Sequence, residues 1–147
     1  MFHLKALQSL TIAIGLLCSN YALADTVPQF SNYPATQSES PSRHRLIATP
    51  LTKNFKTAFA QAMRSPVDFA GHYVTTSWGC GTGCAAGAMV DVNTGKSYPL
   101  PSADIITRPD SRLLVAKQYS SDGVEETVEF YVWTGKQFKL IQTSRAH

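Results

Sequence analysis

The stretch DFAGHYVTTSWGCGTGC, residues 68–84, carries the reading of the fold. Residues 69–78 alternate and include Tyr73, Val74, Thr75 and Thr76, side chains that suit a pleated, half-buried surface. Gly79, Gly81 and Gly83 then crowd around Cys80 and Cys84, which predicts that the strand gives way to a tight loop. A short apolar run at 86–92 follows, so the stretch reads as strand, glycine loop, strand.

Downstream the pattern continues as strand and turn. Asn93-Thr94-Gly95 is a hairpin signal, and residues 96–100 return with Pro99 and Pro101 forcing an edge position or an exit from the sheet. Ile105-Ile106, residues 112–119, 125–133 and 137–142 read as further strands. Pro109-Asp110, Ser121-Asp122-Gly123 and Thr134-Gly135 turn the chain between them. VDVNTGKSYPL at 90–100 aligns without gaps on FYVWTGKQFKL at 130–140, a rhythm like that of a propeller blade. A propeller needs about four blades, more than this length supplies, so the echo reads as similar hairpins in an antiparallel meander.

Upstream, Phe55, Ala58, Phe59, Ala62 and Met63 form one apolar stripe over residues 52–64, with Thr52 as the expected N-cap and Ser65-Pro66 as the stop. The fold class is therefore α+β: one amphipathic helix packed on an antiparallel meander sheet of about five to seven strands.

The N-terminus reads as an address. Lys5, the apolar run LTIAIGLLC and Ala22-Leu23-Ala24 match a secretory signal peptide over residues 1–24. The run is too short for a membrane span, which takes about 20 residues. Lipid attachment at Cys18 is disfavoured because Leu17, just before it, is not small. Residues 25–50 are rich in Ser, Thr and Pro and lack a hydrophobic period, which predicts a flexible leader; Phe30 and Tyr33 are its candidates for docking on a single domain at 51–147. With Lys5 removed, twelve basic side chains face ten acidic ones; the near balance and lack of a basic stripe argue against nucleic acid as a partner. The expected location is the periplasm or the exterior, after cleavage near Ala24.

In an oxidising compartment two thiols three residues apart pair, so Cys80 and Cys84 are expected to form a disulfide. FAGHY, WGCGTGC, the Asp-x-x-Thr-Gly-Lys turn and PDSRLLV together resemble a family of small secreted bacterial proteins of unknown function. The resemblance covers most of residues 45–141 and implies export and a disulfide, with no reaction attached.

Two classes of function remain. The first is a non-catalytic binding module, inhibitor- or immunity-like, for an envelope or extracellular protein. Its candidate contact residues are His72, Tyr73, Trp78, Gly79, Gly81, Thr82 and Gly83. The second is a cysteine-dependent hydrolase or transferase using Cys80 with His72, the sole credible base, since His44 lies in the leader and His147 at the terminus. A copper or zinc site from Cys80, Cys84 and His72 with Met63 or Met89 is a further alternative. The glycine spacing matches neither phosphate-loop nor dinucleotide patterns. No complete catalytic set and no cofactor motif is present, which favours the binding module.

Overall fold

The computed structural model describes residues 26–37, 41–82, 84–119 and 126–145. The expected signal peptide, Gly83, the turn at 121–123 and His147 lie outside them. The fold is α+β: α1 (Pro50–Asn54) and α2 (Lys56–Ala62) accompany seven strands, β1 (Tyr73–Gly81), β2 (Cys84–Asp91), β3 (Ser97–Pro99), β4 (Ile105–Ile106), β5 (Leu113–Tyr119), β6 (Glu126–Trp133) and β7 (Phe138–Arg145). Every pairing is antiparallel.

The strands divide into two sheets rather than one meander, β1-β2-β3 and β4-β5-β6-β7. The break falls where Pro99 and Pro101 withdraw backbone donors from the ladder. Alternation then assigns each face. On the first sheet Val74, Ala88 and Val90 point to the helices and meet Phe59 and Ala62. Tyr73 and Met89 point the other way, onto Leu114, Ala116 and Trp133 of the second sheet. The far face of that second sheet, Leu113, Val115 and Phe130, is covered by Phe30 and Tyr33. The order of layers is helices, sheet, sheet, N-terminal segment.

The helix begins one turn earlier than expected. Thr49 is the N-cap and forms a capping box with Thr52, whose hydroxyl accepts from the Thr49 N–H at 2.8 Å. Pro50 at the first helical position has its φ already set and lacks the N–H that would go unpaired there. At Phe55 the backbone leaves helical geometry (φ −117°, ψ 41°), which divides the predicted helix into α1 and α2 and turns the Phe55 ring onto Trp78.

Two of the motifs that carried the family resemblance meet as a latch. Phe69 and Tyr73 exchange backbone hydrogen bonds of 3.2 and 3.0 Å around a tight reversal. The predicted strand at 69–78 therefore starts only at Tyr73, since Ala70 (φ 44°) and Gly71 (φ 86°) are left-handed. The reversal is clamped to the PDSR turn: the Ala70 N–H donates to the Ser111 carbonyl at 3.1 Å and the Gly71 N–H to that of Pro109 at 2.7 Å. Buried Ser111 completes the clamp. Its hydroxyl lies 2.8 and 2.9 Å from the carbonyls of Phe30 and Tyr33 and accepts from the Leu113 N–H at 3.1 Å.

The segment expected to be a free leader is thus tied down over its described parts. The Ala35 N–H donates to Asp110, His44 to Val92 and Ile47 to Gly95, all backbone to backbone. Phe30 and Tyr33 supply the physical reason, because they cover apolar surface that β5 and β6 would otherwise expose to water.

Candidate functional site

β1 and β2 form a hairpin arm paired from Tyr73↔Asp91 out to Gly81↔Cys84. β3 pairs only with Ala88, Met89 and Val90, so the outer part of the arm extends beyond its sheet. At the tip Cys80 and Cys84 are joined by a disulfide with a Cα–Cα separation of 5.1 Å, next to a register shift between Gly79 and Gly81. Gly79, Cys80, Gly81, Thr82, Cys84 and Ala85 are all exposed. Residues 77–87 carry no charge.

The two glycines differ in what the fold asks of them. Gly81 has φ 131°, a conformation that disfavours any side chain, and helps the short ring close. Gly79 is not left-handed, and a Cβ built on it would meet nothing within 4 Å. Glycine in a strand costs about 0.5–1 kcal/mol relative to alanine, so the bare backbone at 79 is a loss that packing does not explain.

The remaining sequence-predicted residues lie elsewhere. His72 is at the base of the arm, with its imidazole 4.4 Å from the Tyr73 ring and its Nε2 3.8 Å from Asp91 Oδ1. From there to Cys80 is eight strand residues, roughly 26 Å. The structure does not bring the nucleophile–base pair together, and Cys80 is held in the disulfide. The alternative metal set is equally scattered: Met89 is buried between the sheets and Met63 packs on the helix side. No group of three or more His, Cys, Asp or Glu is gathered for a metal among the described residues. Tyr73 is a core residue, 4 % exposed. Trp78 is half-buried, stacked on Phe55 with centroids 4.3 Å apart and tilted against Phe59 at 5.7 Å. It ties the arm to the helices just before the tip.

Sequence reasoning missed two polar arrangements. Asp68 accepts from the Thr75 N–H at 2.9 Å and from the Thr75 hydroxyl at 2.6 Å, bracing the reversal against β1. Glu129 Oε2 accepts from the Tyr131 hydroxyl at 2.8 Å and from Gln118 Nε2 at 3.1 Å. Burial, with the Glu129 charge adding to it, pushes the Tyr131 phenol up to about 12. Between the sheets Tyr98 and Phe138 both pack on Trp133, at 5.1 and 4.9 Å. Burial raises the nearby Tyr73 phenol, opposed by the neighbouring Trp133 side chain, whose buried Nε1 makes no hydrogen bond among the described residues. The repeat at 90–100 and 130–140 was the available signal, since Tyr98 and Phe138 occupy equivalent places in it.

Asp68 makes a pH prediction. Desolvation raises its carboxyl above the ordinary value, against the pull of the Thr75 hydrogen bonds. The folded state then holds this proton more tightly than the unfolded chain, so stability falls as pH climbs through the folded value. Asp68→Asn should remove that fall: relative to the parent, the variant gains stability as pH rises from the ordinary aspartate value of about 4 through the raised folded value. Urea midpoints across that range check it, and parallel curves for the two proteins exclude the effect.

No protein-family profile matches the chain, and no curated protein or solved structure matches it significantly. No described helix is long and apolar enough to cross a membrane.

Proposed function

We propose that this chain is an exported, non-catalytic binding module that offers the disulfide-stapled hairpin tip to an envelope or extracellular protein, in the manner of an inhibitor or immunity protein. It belongs, on this reading, with the small secreted proteins that its motifs resemble. The supporting observation is Gly79. A strand position where a side chain would be tolerated and would stabilise is left bare, at the exposed end of a braced arm. A bare, uncharged, rigid tip suits insertion into a narrow crevice, and rigidity fixed before binding lowers the cost of association.

Gly79→Val is the direct test. The parent should recover a specific partner from envelope fractions, and the variant should lose it. Its melting temperature should hold or rise, since valine favours a strand. Retention of the partner by a folded Gly79→Val protein removes the tip from the interface.

Cys80→Ser/Cys84→Ser probes the staple. Closing so small a ring stabilises by only about 2 kcal/mol, equivalent to a loss of about 6–12 °C in melting temperature. Partner affinity should fall by more than the stability does. Failure of this variant to fold would show that the tip belongs to the core.

A further inference from the structure

The near balance of charge along the chain conceals a strong separation between layers. From residue 41 to residue 67 there is no Asp or Glu, and there are five cations: Arg43, Arg45, Lys53, Lys56 and Arg64. From residue 68 onward seven basic side chains meet eight acidic ones. All five cations are exposed. Among the described residues, no carboxylate lies within ion-pair distance of any of the five.

The fold turns this run into a face. Phe59 and Ala62 of α2 are spent on the core, which leaves Lys53, Lys56 and Arg64 on the outer side of the helices. Lys53 and Lys56 border a hollow of about 370 Å³ whose floor includes Phe55 and Trp78. Lys56 and Arg64, roughly 12 Å apart along the helical rise, border a longer one of about 450 Å³ with Thr57, Ala60 and Gln61 between them. Arg43 is held beside Arg64 by two 2.7 Å bonds to the carbonyls of Met63 and Ser65. Trp78 joins the hollow to the tip, since Cys80 follows it by two residues on β1. A neutral tip and a basic flank therefore form one continuous surface.

We infer that the outer face of α1 and α2 docks on an acidic protein surface, the rim of the crevice that the tip enters. This rests on the binding-module reading and names the partner's chemistry. A membrane surface is the poorer occupant. Helices that lie on lipid turn a strongly apolar face toward it. Here that face is buried, and Asn54, Thr57, Ala60 and Gln61 stand between the cations instead. Unpaired cations facing an acidic rim attract it over a distance set by the ionic strength, speeding encounter and fixing orientation.

The test uses the full chain with labelled poly-L-glutamate as probe. Binding should be measurable at about 20 mM salt and fall at least tenfold by about 300 mM, where the screening length is short. Lys53→Gln/Lys56→Gln/Arg64→Gln should weaken it about tenfold or more, and Lys96→Gln/Lys136→Gln/Lys139→Gln, an equal change of charge elsewhere, by less than about threefold. Equal losses in the two triple variants, or no binding at low salt, overturn the proposal. Vesicles with about 30 % phosphatidylglycerol form the other arm. If the parent binds them as tightly as the polypeptide, and through the same three cations, the face belongs to a membrane and the proposal fails. Cys80→Ser/Cys84→Ser should bind poly-L-glutamate as the parent does. Failure of the tip reading would then leave this result standing.

Discussion

Gly71→Ala is expected to lower stability by about 3–4 kcal/mol, while Gly135→Ala lowers it by about 1–2 kcal/mol. Both glycines are left-handed, at φ 86° and 89°, so the backbone penalty for adding a Cβ is the same. Their surroundings differ. A Cβ on Gly135 would meet nothing within 4 Å, whereas one on Gly71 would overlap the carbonyl oxygen of Thr36. That carbonyl lies in the segment which Phe30, Tyr33 and the Ser111 hydrogen bonds hold against the second sheet. Making room for a methyl group means lifting the segment and returning apolar surface to water, at about 25 cal/mol per Å². Urea unfolding of the two variants separates the terms. Equal losses would mean that the N-terminal segment is not held against Gly71.

The strands were legible because their punctuation is local. Asn93-Thr94-Gly95, Pro109-Asp110 and Thr134-Gly135 each mark a reversal within a few residues, and alternation between them is a property of the strand itself. What alternation cannot say is which layer covers each face. Tyr73 reads as a contact residue and Met89 as a possible metal ligand, because nothing local shows that Leu114 and Trp133 cover them. The single meander became two sheets for that reason, although Pro99 and Pro101 had marked the place of the break. The tip was visible as a glycine-rich, cysteine-bounded stretch. The role of Trp78 was not, because its partner Phe55 lies far upstream and comes into reach only where the helix breaks. The basic face was missed for a related reason: whole-chain balance averages over layers that the fold keeps apart. The N-terminal segment gave a single local hint, its two aromatic rings, against a composition that otherwise reads as unstructured.

Phe59→Ala should be the most damaging single truncation in the helix layer, at about 3–5 kcal/mol. Phe59 is fully buried and packs with Val74, Ala88, Val90 and Val92 across the first sheet. α1 and α2 are only five and seven residues long, so they depend on this packing rather than on helix propensity to stay folded. A loss of that size is a large fraction of the ordinary stability of about 5–15 kcal/mol. The consequence should also reach the tip. Trp78 rests on both Phe55 and Phe59, so removing one ring loosens the contact that braces the arm. Fluorescence distinguishes the layers, because the chain has two tryptophans and Trp133 is 3 % exposed between the sheets. In Trp133→Phe protein, Phe59→Ala should shift the remaining Trp78 emission to the red under native conditions. In Trp78→Phe protein, the same truncation should leave the Trp133 emission unchanged until global unfolding. If Trp133 shifts with Trp78, helices and sheets loosen as one unit and the arm has no separate brace. If neither shifts, the indole of Trp78 is held by something other than the helix layer, and its place as a packing residue beside the tip must be given up.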